Sequence, residues 1–256
     1  MEVRSAASGA TLALLDAAEV EGKSAREVKN ALAGQLGVTR FRQKLLSDDG
    51  RLIKDAEVFS GTAKIQLVKL DFCPPDEEGH RKMFNASASG DVTALGELLE
   101  SPRNPDVTDH DGWTSLHYAA LNGCVGPTRL LLEAGAEKDA VSDRGETPLH
   151  LAAQEGYFSV VQLLVEAGAD KDRPRTRDGS TALHLAAETG QLSGEGGNLG
   201  MVYLLARSGA DCNATLPDGG STAQDVASEE GHVKVVEFLA RFQGHPPKKI
   251  RRGSSP

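Results

Sequence analysis

The sequence predicts two fold classes in one chain, a small α+β domain followed by an all-α solenoid of repeated helix pairs. Internal repetition predicts the solenoid, because Leu116, Leu149 and Leu183 stand 33 and 34 residues apart in nearly identical stretches. Residues 1–72 lack that period and combine short alternating apolar runs with one helical pattern, which predicts the α+β domain. The chain therefore joins two modules of different architecture.

Charge is unevenly distributed along the 256 residues, which carry a formal net charge of −9. Residues 1–72 carry net +1, residues 73–243 carry net −14, and the stretch from residue 244 carries net +4. The acidic region disfavours nucleic-acid binding by the repeats, since neutralising phosphates requires Lys and Arg. We expect protein partners, and basic protein surfaces match this charge best.

The cysteines and the apolar stretches indicate which kinds of protein the chain does not resemble. Cys73, Cys124 and Cys212 are odd in number and follow no metal-ligand spacing, which predicts neither disulfides nor zinc. No apolar stretch approaches the roughly 20 residues of a membrane span, and the N-terminus lacks a signal-peptide pattern. We expect a soluble monomer without membrane contact or cofactor, located in the cytoplasm or, as the alternative, in the nucleus.

Each repeat is predicted to be a turn followed by two antiparallel helices. In DRGETPLHLAAQEGYFSVVQLLVEAGADKD, the LHLAA segment places apolar side chains at i, i+3 and i+4 of a short helix, and VVQLL lines a second helix. Thr147 is the expected N-cap with Pro148 at the first helical position. Gly168 is expected to end the second helix in the left-handed conformation. One such pair cannot bury its apolar face, so the pairs must stack.

The TPLH, LAA, midpoint glycine and LLxxGA segments recur in phase and resemble the ankyrin repeat over residues 77–242. The resemblance implies about five repeats within 79–243, with divergent first and last repeats that cap the stack. The first covers about 77–108, and the others start near Asp109, Ser142, Thr176 and Leu216.

Three departures from the ankyrin pattern are expected to have structural consequences. A Gly-rich insertion at 191–197 predicts a loop between the two helices of one repeat. Gly126 and Pro127 predict that the second helix of another repeat begins late. Gln224 and Asp225 replace the repeated leucine and histidine in the last copy, as a polar capping repeat requires.

The N-terminal region resembles the ubiquitin-like β-grasp domain. Its elements read strand, strand, helix, strand, turn, strand, strand, with Ser24 and Glu27 as a capping box for the helix, and QKLLSDDGRLI and KIQLVKL carry the resemblance. The domain is predicted over 1–72, followed by a linker at 73–78. The chain continues without a terminal Gly-Gly pair, so the domain is not expected to be conjugated as ubiquitin is. Residues 244–256 are predicted to be a disordered basic tail.

The repeated histidines His117, His150 and His184 are interpreted as scaffold and not as a catalytic or metal site. Residues that recur once per repeat are displaced along the stack by roughly 10 Å, so they cannot converge on one metal ion. No nucleophile elbow, phosphate-binding loop or HExxH motif is present in the sequence. We predict no catalytic, cofactor-binding or metal-binding residues.

Partner binding is expected at turn tips and at the ends of the first helices, because ankyrin-like proteins bind partners on that concave surface. Trp113, the only tryptophan, and Leu121 are its apolar members, and Trp113 is either a binding hot spot or a cover for the neighbouring turn. By motif, the expected residues are His110, Asp111, Trp113, Leu121, Asn122, Asp143, Arg144, Glu146, Gln154, Glu155, Arg177, Asp178, Ser180, Glu188, Thr189, Glu229 and Glu230.

Two further interaction sites are hypotheses. The β-grasp resemblance implies a shallow apolar patch at Leu46, Gln66 and Val68, for which a solvated strand face is the alternative. The tail cations Lys248, Lys249, Arg251 and Arg252 form either a nuclear-import signal, a contact for acidic surfaces or a solubilising end.

The sequence thus predicts a non-enzymatic interaction protein or scaffold that binds partners on its concave ankyrin surface. A first alternative is a substrate adaptor in ubiquitin-dependent turnover, which would contact a component of the ubiquitin system through the N-terminal domain. A second alternative is an ankyrin-type regulator of a nuclear factor.

Overall fold

A computed structural model gives the three-dimensional structure of the chain. It describes residues 2–5, 11–14, 23–36, 43–47, 52–54, 57–58, 65–69, 76–101, 103–189, 197–217 and 219–244. The predicted import signal (Lys248, Lys249, Arg251, Arg252), the rest of the tail after residue 244, residues 73–75 of the predicted linker and residues 190–196 of the insertion region lie outside these ranges. The last two residues of the predicted linker, Glu77 and Glu78, are already helical.

The described strands near the N-terminus form one mixed five-stranded sheet. The strands are β1 (Glu2–Ser5), β2 (Thr11–Leu14), β3 (Gln43–Ser47), β4 (Leu52–Ile53) and β5 (Ile65–Lys69). Their order is β2-β1-β5-β3-β4, with β1 and β5 parallel and the other neighbours antiparallel. The first and last strands of the region therefore lie side by side at the centre of the sheet.

Helix α1 (Ala25–Leu36) contacts β2 and β3. It begins with the predicted capping box, in which the Ser24 N–H and hydroxyl donate to the Glu27 carboxylate at 2.7 and 2.8 Å. The order of elements along the chain is the predicted one. Among the described side chains of this helix and sheet, the buried apolar ones are Ala25, Val28, Leu32, Leu45, Ile53 and Leu67.

From residue 76 to residue 244 the described chain forms five helix pairs. The first helices of the pairs are α2 (Glu77–Ser89), α4 (Ser115–Leu121), α6 (Pro148–Gln154), α8 (Ala182–Glu188) and α10 (Ala223–Glu229). The second helices are α3 (Val92–Glu100), α5 (Val125–Glu133), α7 (Phe158–Glu166), α9 (Gly197–Arg207) and α11 (Val233–Gly244). Each pair falls within one predicted repeat.

The pairs stack in two layers. Each first helix contacts the next first helix, from α2 through α10, and each second helix contacts the next second helix, from α3 through α11. One continuous apolar core runs between the layers from Met83 in α2 to Leu239 in α11. Because each pair leaves an apolar face that only its neighbour can cover, the stability of one repeat depends on the adjacent ones.

A row of carboxylates adds polar links between neighbouring repeats. Asp106, Asp139 and Asp172 recur every 33 residues, and each lies in the segment that follows the second helix of its repeat. Each accepts a backbone N–H from the next repeat, at 2.6 to 2.8 Å. The repeats are thus joined by hydrogen bonds as well as by apolar packing.

The helix ends follow the sequence signals. Thr147 is the N-cap of α6, its hydroxyl oxygen accepts the His150 N–H at 3.4 Å, and Pro148 is the first helical residue. After α7, Gly168 has φ +82°, and the following N–H donates to the Leu164 carbonyl at 2.9 Å. This is the glycine-terminated arrangement that the EAGAD segment predicts.

One expectation about a helix start is wrong. Helix α5 begins at Val125, in the same register as Phe158 at the start of α7, although GP follows immediately. Pro127 is the third helical residue, where a backbone N–H has no partner within the helix. The proline therefore removes no hydrogen bond, and the helix does not start late.

The last repeat keeps the N-cap threonine, but a carboxylate replaces the histidine as its partner. The Thr222 N–H and hydroxyl donate to the Asp225 carboxylate at 2.9 and 2.7 Å, so the aspartate replaces the histidine of the other repeats as acceptor. Asp225 is exposed and Gln224 is half-buried. Both polar side chains are tolerated because no described helix packs against this face of the repeat.

The turn glycines show how tightly one repeat meets the next. Gly145 and Gly220 occupy equivalent turns with φ +75° and +76°, a conformation that costs other residues about 1–2 kcal/mol. A Cβ atom at Gly145 would lie 2.5 Å from the backbone nitrogen of Thr176 in the next repeat. At Gly220, in the last repeat that the structure describes, no described atom lies within 4 Å of such a Cβ.

Gly145→Ala and Gly220→Ala should therefore separate backbone strain from inter-repeat clash. We expect Gly220→Ala to lower the free energy of unfolding by about 1–2 kcal/mol, and Gly145→Ala to lower it by roughly 1–3 kcal/mol more. Urea unfolding followed by circular dichroism measures both. Equal losses would show that the close approach of Thr176 does not constrain the turn.

Candidate protein-binding surface

Each of the three repeated histidines contacts the N-cap threonine of its own helix. The Nδ1 atom of His117 accepts the Thr114 N–H at 3.1 Å and lies 2.9 Å from the Thr114 hydroxyl oxygen. Its Nε2–H donates to the carbonyl of Glu146, in the next repeat, at 3.0 Å. Because a carbonyl can only accept, this bond places the proton of the neutral ring on Nε2. The histidine thus joins its own helix start to the following turn.

The other two histidines repeat the contact with local differences. His150 lies 3.1 Å from the Thr147 nitrogen through Nδ1, and its Nε2–H donates to the Arg173 carbonyl at 2.8 Å. His184 keeps the Nδ1 contacts to Thr181, while its Nε2 atom is buried without a hydrogen-bond partner. All three histidines therefore serve the helix start, and two of them also bond to the next repeat.

Burial keeps these histidines neutral. It lowers the pKa of His117 and of His184 from the ordinary value, and it lowers that of His150 to about 4. Across the described ranges, no three His, Cys, Asp or Glu side chains gather in a group that could hold a metal ion. The histidine nitrogens thus contact their own N-caps and, in His117 and His150, a backbone carbonyl further along the chain.

Trp113 lies at the turn tip before α4 and is half-buried. Its ring packs against Tyr118 at a centroid distance of 5.4 Å and against His117 at 6.0 Å. The Asp109 carboxylate accepts the Trp113 N–H at 2.9 Å and the Tyr118 hydroxyl at 2.5 Å. That hydroxyl bond raises the pKa of Tyr118 to about 12. The tryptophan therefore both covers its turn and presents part of its ring to solvent.

A third ring extends this group across two repeats. Phe84 of α2 is half-buried and packs against Tyr118 at a centroid distance of 5.5 Å. We call Phe84, Trp113 and Tyr118 the aromatic patch. From the sequence only Trp113 of these three was expected to bind a partner. Tyr118 stands where later repeats have Leu151 and Leu185, and Phe84 stands where the next repeats have the repeated histidine, as in His117.

A buried arginine organises the next part of the surface. Arg175 is 8% exposed, and its guanidinium donates to the Asp178 carboxylate from Nε at 2.8 Å and from Nη2 at 2.5 Å. Nη1 donates to Gln154 Oε1 at 3.0 Å and lies 3.8 Å from Glu146 Oε1. The arginine holds the pKa of Asp178 well below its usual range. We call these four side chains the arginine cluster.

Two residues expected to be free for binding are buried. Glu146 is 7% exposed and Ser180 is 6% exposed. Glu146 faces Arg175, and the Ser180 N–H donates to Asp178 at 3.0 Å. The interpretation of these positions as free was wrong because it overlooked Arg175, the group that draws the surrounding polar side chains inward.

Most of the other expected residues are accessible on the described surface. The exposed ones are His110, Asp111, Asn122, Asp143, Arg144, Glu155, Arg177, Glu188, Glu229 and Glu230. Trp113, Leu121, Gln154, Asp178 and Thr189 are half-buried.

Exposed carboxylates recur where the first helices end. Glu155 is the C-cap of α6, Glu188 is the last residue of α8, and Glu229 and Glu230 end α10. A helix C-terminus carries partial negative charge from its unpaired carbonyls, which adds to the charge of these side chains. We call these four residues the acidic row. It gives this edge of the stack a strongly negative surface.

On the N-terminal sheet, Leu46 and Val68 share one face. Leu46 pairs with Gln66 and Lys44 pairs with Val68 across β3 and β5, whereas the alternate residue Leu45 is buried on the opposite face. Leu46 and Val68 are half-buried, and the Gln66 side chain lies outside the described residues. The register thus brings together the backbone positions of the expected patch.

Comparison with known proteins identifies the class of the repeats. A family model described as ankyrin repeats matches three copies, over residues 83–175 and 129–215, which together span more than half of the chain. The chain therefore belongs to the ankyrin repeat family, whose members are typically non-enzymatic and whose repeats suggest a protein–protein interaction module. No curated protein matches the chain. In the described part of the chain, no helix is long and apolar enough to cross a membrane.

The buried histidines predict acid sensitivity of the stack. The unfolded chain takes up protons below the ordinary histidine pKa of 6.5, whereas folded His150 does so only near pH 4, so stability is lost as pH falls between these values. His150 alone should account for roughly 2 kcal/mol between about pH 7.5 and 5.

Urea unfolding at the two pH values measures this loss. His150→Gln keeps a side chain that can accept from Thr147 and should reduce the pH dependence, while His110→Gln, at an exposed turn tip, should leave it unchanged. A midpoint that does not move with pH would mean that His150 does not resist protonation in the folded protein.

Proposed function

We propose that this protein is a non-enzymatic interaction protein that binds a partner on the turn tips and first-helix ends of its ankyrin repeats. The observation that carries the proposal is the juxtaposition of the aromatic patch with the acidic row on the same layer of helices. The patch spans α2 and α4, and the row follows at the ends of α6, α8 and α10.

The aromatic patch has the properties of a binding hot spot. Tryptophan and tyrosine bury a large area with little loss of side-chain entropy, and both are enriched among residues that dominate interface energies. The Tyr118 hydroxyl and the Trp113 backbone N–H both donate to Asp109, and the Trp113 ring packs on the Tyr118 ring, so the patch is ordered before a partner arrives. Binding then requires little further ordering, which favours affinity.

The acidic row defines the chemistry of the partner. Four exposed carboxylates on successive repeats favour a segment that carries several Lys or Arg residues. In the arginine cluster Arg175 is paired with Asp178 and lies near Glu146, which is buried, so the exposed carboxylates of the acidic row provide most of the attraction for a cation. We therefore expect a basic segment with an apolar anchor that packs on Trp113.

Charge reversal in the acidic row tests this proposal without disturbing the core. Glu155→Lys with Glu188→Lys should weaken capture of the main partner at least roughly tenfold, as should Trp113→Ala. Affinity purification with mass spectrometry identifies the partner, and titration of the purified pair measures the loss. Glu100→Lys with Glu166→Lys is the matched control, because both residues are exposed at second-helix ends and change the net charge equally.

Circular dichroism should show that each variant is folded. If the folded row variant and the folded Trp113→Ala variant both bind as tightly as the unchanged protein, this surface is not the binding site.

A second candidate function rests on the N-terminal sheet. We propose that residues 1–72 form a ubiquitin-like β-grasp domain and that the protein acts as a substrate adaptor in ubiquitin-dependent turnover. Its support is the mixed order β2-β1-β5-β3-β4 with α1 packed on it, together with the shared face of Leu46 and Val68. In this arrangement the repeats would select a substrate, and the sheet would contact the degradation machinery.

Leu46→Asp with Val68→Asp tests the adaptor role. Placing two carboxylates on the apolar face should abolish capture of proteasome subunits and ubiquitin ligases, because the contact would bury uncompensated charge. Val58→Asp is the control, since Val58 is 61% exposed and lies outside the proposed patch. Unchanged capture by a folded double variant would exclude this face as the contact for these proteins.

A further inference from the structure

The second-helix layer contains an apolar groove that the proposed function does not use. The groove lies between α9 and α11 and has a volume of about 540 Å³. Leu199, Tyr203 and Phe238 form its apolar lining, and Lys234, Glu237 and Arg241 also line it. We call it the α9–α11 groove.

Aromatic side chains continue the groove across three repeats. Tyr203 packs against Phe238 at a centroid distance of 5.6 Å, and Phe238 packs against Phe242 at 5.4 Å. On the other side Gly200 lies against Phe158 of α7, since a Cβ atom there would be 3.8 Å from its ring. Tyr203 remains 45% exposed and Phe158 40% exposed. So large an exposed aromatic surface is typical of interaction sites.

The charge around this groove is opposite to that of the acidic region as a whole. The first three second helices carry net −2 (α3), 0 (α5) and −1 (α7), whereas α9 and α11 carry net +1 each. Lys234 and Arg241 are exposed and form no ion pair within the described chain. An apolar groove with free cations is complementary to a segment that is apolar and acidic.

A third cation is already held at the groove. The Arg207 guanidinium lies 5.3 Å from the centre of the Tyr203 ring, and its Nη1 donates to the Tyr203 hydroxyl at 2.5 Å. The contact orients both side chains at the surface, so neither must be ordered when a partner binds.

We propose that the α9–α11 groove is a second docking surface, which takes a short acidic segment of a partner protein. An aliphatic or aromatic side chain of the segment packs between Tyr203 and Phe238, and its carboxylates bond to Lys234, Arg241 and Arg207. The chain's own tail is disfavoured as the occupant, because its four cations have the same sign as the groove.

A labelled peptide tests the proposal on the full chain. The probe is a fluorescein-labelled peptide with leucines flanked by glutamates, and fluorescence anisotropy measures its affinity. Two matched peptides replace either the leucines by serine or the glutamates by lysine. We expect only the acidic, leucine-containing peptide to bind, with an affinity that falls as salt is added.

Variants assign the binding to the groove. Lys234→Glu with Arg241→Glu should weaken the probe at least roughly tenfold, and Tyr203→Ala should do the same by removing the apolar wall. Arg81→Glu with Arg129→Glu is the control, because it changes the net charge equally at exposed positions on α2 and α5. Trp113→Ala should bind the probe normally, which separates this groove from the surface of the proposed function.

Four outcomes would overturn the proposal. They are equal binding of the serine-containing peptide, unchanged affinity in the folded Lys234 and Arg241 double variant, loss of binding on deletion of residues 246–256, and concentration-dependent dimerisation that Tyr203→Ala abolishes. The first two would mean that the groove does not bind the probe, the third would assign the probe to the tail, and the fourth would assign the groove to a second copy of the chain.

Discussion

Contact between each repeat and the next, through one continuous apolar core and through hydrogen bonds, is the interaction on which the solenoid depends. In His117 and His150, one ring nitrogen holds the N-cap threonine and the other reaches a carbonyl of the following repeat. The Asp106, Asp139 and Asp172 carboxylates add a second link. Because each repeat has only its neighbours to bond to, these local links determine the geometry of the whole stack.

The last described repeat differs from the others at the positions that contact a following repeat. Its N-cap partner is Asp225, which can accept from Thr222 but has no donor for a following turn. Its turn glycine, Gly220, has open space where Gly145 meets Thr176. Both differences occur in the last repeat that the structure describes, whereas the histidine and the tight turn of earlier repeats contact a following repeat.

The proposed binding surface consists of residues that differ from repeat to repeat. The histidine hydrogen bonds do not involve the positions of Trp113, Glu155 and Glu188, so these positions carry different residues in different repeats. The result is an aromatic patch on the first two repeats and an acidic row on the last three. The second-helix layer has opposite charge near α9 and α11. The two proposed docking surfaces therefore differ in charge, so each would select a different kind of partner.

The sequence by itself determined the repeat, its N-caps and its glycine-terminated helices, because these depend on short segments such as TPLH and EAGAD. The start of α5 was misjudged, since the effect of Pro127 depends on its position relative to the helix start. Which polar residues are free was decided only by tertiary structure: Arg175 draws Glu146 and Gln154 from the preceding repeat toward Asp178. The aromatic patch likewise joins residues of two repeats. These side chains differ from one repeat to the next, so the repeat period of the sequence does not predict that they are in contact.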